Sequence, residues 1–312
     1  MQVSFIIPLH GCLPLTQAML ASFVPSLPPG LAYEVILVDD CSTDGTREWL
    51  ATLHDPRVRV VLNEKNLGYG ASNNRGAALA TGEFLALLNN DLVLAPGWLE
   101  PILRAHRWLG GLAGLVGNVQ LNARTGALDH AGIYITARGK PAHFRSLPRF
   151  SRFFTGLRRV PALTGACVVL RRSRWEQLGG FDPQFINGAE DIDLCFRAAE
   201  LGLVHAVALR SVVRHHVSAS PGRKLRDEEN SFRLARKWRE TLARSAHGFH
   251  RRWCREFLVR YARDPHNAAL LPLARQALGY LARLRREPPE PALETMRLAI
   301  RREFSRWETL LR

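Results

Sequence analysis

Phe84-Leu85-Ala86-Leu87-Leu88-Asn89-Asn90-Asp91 is an apolar run that ends abruptly in three polar side chains. A run of this length with no polar face reads as a strand buried on both sides, as in a parallel sheet covered by helices. Ligands of open α/β sheets bind outside the carboxyl ends of the strands, which puts Asn89, Asn90 and Asp91 at a ligand-facing rim. A carboxylate there suits a hard divalent cation that keeps positions open for substrate phosphates. A polar turn after a core strand is the other reading of the same residues.

Upstream, the chain alternates strands and helices. Val3 to Pro8 reads as a first buried strand with His10-Gly11 at its carboxyl end, and Thr16 to about Ser26 as a helix stopped by prolines. A second strand, Glu34 to Val38, ends in Asp39-Asp40-Cys41-Ser42-Thr43-Asp44-Gly45-Thr46. Asp39 and Asp40 suit hydrogen bonding to a nucleoside and equally suit capping; Asp44 reads as the cap of a helix from Thr46 to Leu53. Val58 to Leu62 is a third strand, and Asn66-Leu67-Gly68-Tyr69-Gly70 leads into a helix to about Ala80. Asn73, Asn74 and Arg75 fall in its early turns, where backbone N–H groups and a guanidinium could meet a diphosphate. The alternation predicts an α/β fold with a parallel sheet and right-handed crossovers.

After Asp91 a helix is expected from Pro96 to about Trp108 and a strand from Leu112 to Leu121. Residues 138–174 carry ten Lys and Arg and no acid, which reads as a solvated loop or as an acceptor-side patch for an anion. A strand from Leu163 to Leu170 contains Thr164-Gly165-Ala166, and a short helix runs through Leu178. Glu190-Asp191-Ile192-Asp193 crowds three acids at a helix start, where one can cap while another faces a substrate, and Asp193 with Arg197 reads as an ion pair. Val204 to Leu209 is expected as a last strand, followed by His215 and His216, readable as metal or diphosphate contacts or as a surface turn.

In order and spacing, Val3 to Pro8, Val38 to Thr46, Asn66 to Asp91, and Thr164-Gly165-Ala166 through the Glu190 to Arg197 block resemble glycosyltransferase family 2, of the GT-A fold, most closely its bacterial rhamnosyltransferase-type branch. The resemblance covers residues 3 to about 220. It implies a Rossmann-like, mostly parallel sheet flanked by helices, with an inverting transfer from a UDP-, GDP- or dTDP-sugar to a glycan or polyprenyl-diphosphate-linked acceptor. Carried over by position, Asp39 and Asp40 would sit on the nucleoside with Pro8 and His10 near the base. Asn66, Gly68, Asn73, Asn74, Asn89 and Asn90 would complete the donor site. Asp91 would bind Mg2+ or Mn2+, with His215, five residues before Ser220, facing the metal or diphosphate. Asp191 would be the base and Glu190 its support. Asn89 replaces the first acid of the family's D-x-D motif, leaving one carboxylate.

The composition fits a core-forming protein, with 46% hydrophobic and 23% charged residues over 312 positions. No stretch reads as a membrane span and the N-terminus does not read as a signal peptide, so a cytoplasmic protein is expected, with a place on the inner face of the membrane as a further reading. Five cysteines without a C-x-x-C pair disfavour a disulfide framework or zinc site.

The net charge of +15 is concentrated beyond residue 222, which gives a division into a catalytic domain, 1–221, and a basic amphipathic helical extension, 222–312. Leu293, Met296, Ile300, Phe304, Trp307 and Leu311 form an apolar stripe, and Trp253, Phe257 and Tyr261 another. These stripes predict either packing within the protein or an anchor on an anionic membrane surface. No recognised nucleic-acid module accompanies the basic tail, so no nucleic-acid partner is expected.

Overall fold

The structure, a computed structural model, describes residues 2–147, 156–216, 226–263 and 268–311. Arg149 and Arg152 of the basic stretch, and Ser220 of the His…Ser segment, lie outside the described residues. The chain divides into two units, one comprising 1–133 and 143–227, the other 134–142 and 228–312.

In the first unit, β1 (Gln2–Leu9) runs at the centre of four parallel strands, between β2 (Ala32–Asp39) and β4 (Phe84–Leu88), with β3 (Val58–Leu62) outside β2. Phe84 to Leu88 are all fully buried, as expected for a strand covered on both faces. Helices α1 (Leu13–Phe23), α2 (Thr46–Leu50) and α3 (Tyr69–Ala77) connect these strands. Asp44 does not cap α2, which starts from Gly45 without a side-chain cap. Its Oδ1 accepts from the Thr46 hydroxyl at 2.6 Å, and its Oδ2 from the Leu13 backbone at 2.9 Å. It therefore satisfies a free N–H at the start of α1, where the neighbouring strand end brings it.

The sheet is mixed beyond β4. β5 (Leu92–Val93) follows the rim, and α4 (Glu100–Leu109) leads to β6 (Ala113–Asn122), β7 (Leu128–His130), and the paired β8 (Ile133–Ile135) and β9 (Pro141–His143). Then come β10 (Leu157–Val160), β11 (Cys167–Arg171), α5 (Arg172–Leu178), α6 (Glu190–Glu200) and β12 (Val204–His215). β11 returns antiparallel between β4 and β6, with Cys167 opposite Leu88. That direction puts the start of β11, not its end, beside the end of β4, and the Asn89 amide donates to the Ala166 carbonyl at 2.9 Å. The last strand runs six residues beyond the expected Leu209, because the chain bulges between Ala208 and Val212 and resumes pairing with β6. After the bulge the side chains alternate inward and outward, which buries Val213 and His215 and exposes Arg214.

The core forms around Phe5, Phe23 and Trp98, with the Phe5 and Phe23 rings edge to face at 4.7 Å. Gly76 lets α3 lie against the sheet: a Cβ there would come within 2.6 Å of Ile6 and 3.0 Å of Val38. Among the described residues, the basic side chains of 138–174 do not form one patch. Arg145, Arg171 and Arg172 pair with Asp129, Glu83 and Glu176, and Arg158 stacks on Phe144 at 3.5 Å.

In the second unit α7 (Asp227–Ser245), α8 (His247–Tyr261), α9 (Leu271–Leu281) and α10 (Glu290–Leu310) pack on their apolar stripes. Leu293, Met296, Ile300 and Trp307 are buried, and Phe232 meets both Phe304 and Trp307 edge-on or tilted. Trp253 stacks on Phe257 over Cys254, Ala277 and Tyr280. From Leu293 to Trp307 the stripe of α10 is thus internal, which overturns the reading of that stretch as the inserted face of a membrane anchor. No helix among the described residues is long and apolar enough to cross a membrane.

Two buried histidines of the first unit link fold to pH. Burial pushes His106 and His205 down to about 4, although His106 donates to the Val169 carbonyl and His205 to that of Cys195. Their folded pKa lies below the unfolded value, so each contributes stability that is complete above about 6.5 and is lost as the pH falls towards 4, by about 3 kcal/mol each. Urea unfolding at pH 7 and pH 4.5 is expected to show a fall of several kcal/mol, with His205→Gln flattening part of it.

Candidate active site

One cavity of about 440 Å3 opens where the ends of β1, β2 and β4 meet the start of β11 and the N-terminus of α6. Its size fits a small-molecule site. At one end Pro8 comes from β1, His10 and Asp40 follow the ends of β1 and β2, and Asn66 stands in the loop before α3.

Asp40 is 4% exposed and holds that loop in place. Its Oδ1 accepts from Asn63 at 2.8 Å and from the Leu67 amide at 2.7 Å, and its Oδ2 from the Gly68 amide at 2.8 Å. Gly68 sits at φ +85°, which suits glycine, and a Cβ there would press on Asn187. His10 lies within 2.8 Å of the Asp40 carbonyl through Nδ1 and within 3.1 Å of Asn66 through Nε2. The carbonyl needs a donor, so Nδ1 carries the proton and Nε2 accepts from the Asn66 amide.

Asp39, beside it in sequence, takes no part in the cavity wall. Strand alternation turns it inward, where it pairs with Arg47 at 2.7 Å and accepts from the Ser42 amide. It does not cap α2, which starts from Gly45 without a side-chain cap.

Asn73 and Asn74 also lie away from the cavity. α3 begins at Tyr69, so both fall past the first turn and rotate from the rim. Asn73 is buried and donates to the Tyr69 carbonyl, while Asn74 bonds both the N–H and the carbonyl of Phe181 at 2.8 Å. Arg75 is bound to Asn63 and Leu62. These residues fasten α3 to its neighbours and do not line the cavity.

At the other end stand Asn89, Asn90 and Asp91. Asn90 donates to Thr16 at 2.8 Å and so ties the rim to α1. Asp91 is 7% exposed, yet its Oδ1 has no donor in hydrogen-bonding geometry, although His215 Nε2 lies 3.1 Å away. The same Nε2 is 3.5 Å from the Asn89 amide. His215 stands behind Asp91, brought there by the inward phase of β12; His216 contributes its backbone amide to the Asp91 carbonyl. A buried carboxylate oxygen left without a donor is costly and marks a place for a cation or a ligand donor. Among the described residues no three His, Cys, Asp or Glu side chains converge as a metal set, so the chain offers Asp91 and His215 with the amide of Asn89.

Asp191 and Glu190 have different surroundings. Asp191 lines the cavity half-buried, with Oδ2 accepting from the Gly165 amide and Oδ1 from the Ile192 amide, each at 2.8 Å. Glu190 is buried and turns back to accept from the Gly188 amide at 2.6 Å. Asp193 pairs with Arg197 at 2.8 Å, as its spacing predicts. Asn187 at φ 56° and Ala189 at φ 70° bring the loop in on left-handed residues, an arrangement that costs about 1–2 kcal/mol at alanine. Asn187 accepts from the Tyr69 amide at 2.9 Å, and the Tyr69 hydroxyl donates to the Gly165 carbonyl at 2.8 Å. Tyr69, Asn187, Ile133 and His143 line the cavity without having been singled out in the sequence. Tyr69 follows the Asn-Leu-Gly turn directly and was within reach of that reading; nothing local marks His143.

The sequence pattern of glycosyl transferase family 2 matches residues 4–179, more than half of the chain. The chain belongs to that family. It is 31% identical over 210 residues to the N-acetylglucosaminyl-diphospho-decaprenol L-rhamnosyltransferase of Mycobacterium tuberculosis, covering 61% of this chain and 68% of that protein. It is 35% identical over 197 residues to the O-antigen biosynthesis protein RfbC of Myxococcus xanthus, covering 60% of this chain and 15% of RfbC. The chain spans 27% and 15% of the length of the first two curated relatives it matches. Among solved structures, GalNAc-T7 with UDP, GalNAc and Mn2+ superposes with a TM-score of 0.59 at 20% identity, over 69% of this chain and 43% of that one. That likeness shows the GT-A fold, and the relatives support the rhamnosyltransferase-like branch.

The two rim carboxylates of this family 2 chain differ in a measurable way. Asp40→Asn places an amide against three donors and is expected to lower stability by about 2 kcal/mol. Asp91→Asn removes a carboxylate with one oxygen lacking a donor and is expected to leave stability unchanged or raise it by up to about 1 kcal/mol. Denaturant midpoints of the two variants decide this.

Proposed function

We propose that this family 2 protein is an inverting transferase that moves a sugar, of the rhamnose type, from a nucleoside-diphosphate donor to a hydroxyl of a glycan or polyprenyl-diphosphate-linked acceptor in cell-surface polysaccharide synthesis. The observation that carries this reading is the pairing, in one cavity, of a buried carboxylate with one oxygen lacking a donor, Asp91, with a half-buried, backbone-held carboxylate, Asp191. The rhamnosyl activity named for the mycobacterial relative supports the sugar and the lipid-linked acceptor.

In this reading the donor's nucleoside lies along Pro8, His10, Asp40 and Asn66, and its diphosphate reaches Asn89 and Asp91. Asp91 and His215 would hold Mg2+ or Mn2+, with the remaining positions left to diphosphate oxygens. The bound cation would offset the charge growing on the leaving diphosphate.

Asp191 takes the proton of the acceptor hydroxyl as that oxygen bonds to the anomeric carbon. The bond from that carbon to the diphosphate oxygen breaks, and its electron pair leaves with the nucleoside diphosphate. A single displacement inverts the anomeric centre. The Gly165 and Ile192 amides keep the carboxylate oriented towards the acceptor. Glu190 shapes the loop through the Gly188 amide and acts by positioning. An acceptor on a lipid diphosphate would place the reaction at the inner face of the membrane.

The test is nucleoside-diphosphate release from UDP-, GDP- and dTDP-sugars with an isolated lipid-linked acceptor. Asp191→Asn is expected to lower kcat by a factor of about 100 to 10,000 while donor affinity stays within about twofold. Asp191→Asn turnover within tenfold of the native protein would contradict the assignment of the base.

A further inference from the structure

The basic excess of the second unit is not spread over its helices. Residues 247–286 hold nine arginines against Glu256 and Asp264, whereas residues 287–312 hold five arginines and five acids. Acids of α7 and α10 engage the arginines of α10, Arg297 pairing with Glu240, Glu290 and Glu294, and Arg306 with Glu228 and Glu303. Among the described residues, Arg275, Arg283 and Arg286 enter no ion pair. Three unpaired guanidinium groups therefore stand at or just beyond α9.

The same segment exposes its large apolar side chains. On α9, Leu271, Arg275 and Leu278 fall within an arc of about 60°. Leu271 is 38% and Leu278 56% exposed, while Ala274, Ala277 and Tyr280 bury the opposite side. The helix ends in a Schellman turn, with the Leu284 amide on the Gly279 carbonyl at 2.9 Å and the Arg283 amide on the Tyr280 carbonyl at 3.2 Å. Two features depart from the usual form. The left-handed residue, at φ 63°, is Arg283 where glycine is favoured. The following leucine, which ordinarily closes the turn by packing on the helix, is 84% exposed, because its partner position is Gly279. The turn thus spends conformational strain to hold Leu284 in water between Arg283 and Arg286.

We propose that the outer face of α9 and its C-terminal turn form a docking surface for an anionic lipid bilayer, with Leu284 and Leu278 entering the acyl boundary and Arg275, Arg283 and Arg286 at the headgroups. Charge complementarity selects this occupant. The guanidinium groups lack acids, the leucines between them have no apolar cover in the chain, and single apolar side chains among cations suit an interface that is anionic and then apolar with depth. The proposal stands on the second unit alone and is independent of the sugar chemistry. It also relocates the membrane contact from the α10 stripe, which is internal, to a segment whose apolar residues are free.

The test is sedimentation of the full-length protein with vesicles of phosphatidylcholine alone and of phosphatidylcholine mixed with phosphatidylglycerol. Binding is expected only to the mixed vesicles and is expected to weaken with added salt. The triple variant R275E/R283E/R286E is expected to bind more than about a hundredfold more weakly, and Leu284→Asp several-fold more weakly. Arg283→Gly relieves the left-handed residue, so it is expected to unfold at a higher temperature while binding several-fold less, which separates docking from folding. Equal binding to both vesicle types, no binding to either, or unchanged binding by the triple variant overturns the proposal. Retention on a DNA duplex without vesicle binding does so too, and would assign the arginines to nucleic acid.

Discussion

The three hydrogen bonds on the carboxylate of Asp40 are the constraint from which the site is built. A buried carboxylate must be matched by donors, and here two of them are backbone amides of the loop before α3. That pairing fixes the left-handed Gly68, and with it the position from which Tyr69 and Asn66 reach the cavity. Tyr69 then bonds Gly165, and Asn187 bonds Tyr69, so loops distant in sequence are placed by one chain of contacts. The two ends of the cavity therefore share a single frame of contacts.

Against this frame, the carboxylates divide by how fully they are satisfied. Asp39, Asp40, Glu190 and Asp193 are engaged by side chains or amides of their own surroundings. Asp91 is buried with one oxygen unmatched, and Asp191 is held yet open to the cavity. Stability explains the first group and the backbone amides hold Asp191, while the unmatched oxygen of Asp91 is tolerated only where a ligand completes it.

Much of this was legible in the chain. Four parallel strands and the polar rim at Asn89 to Asp91 followed from apolar runs that stop at polar residues, because burial on both faces leaves no other pattern. The Asp193–Arg197 pair followed from helical spacing. The direction of β11 did not, since an apolar strand reads alike in either sense. That Asn73 and Asn74 point away from the cavity is not legible, because their phase on α3 depends on the residue at which the helix starts, and helix starts are the least determinate feature of a sequence. Residues 204–215 concealed one long strand, as a bulge interrupts the alternation. The stripe on α10 was read correctly as apolar, but periodicity cannot say whether such a face meets protein or lipid; the structure buries it against Phe232.

The proposed role of the rim of β1, β2 and β4 is to bind a nucleoside diphosphate through a cation on Asp91. Calorimetric titration of UDP, GDP and dTDP into the protein, with and without Mn2+, tests it most directly. Binding of one of these nucleotides that tightens at least tenfold with Mn2+, and an Asp91→Ala protein in which Mn2+ has no effect, is the expected result. Nucleotide binding indifferent to Mn2+, or a Mn2+ effect that survives in Asp91→Ala, would contradict it.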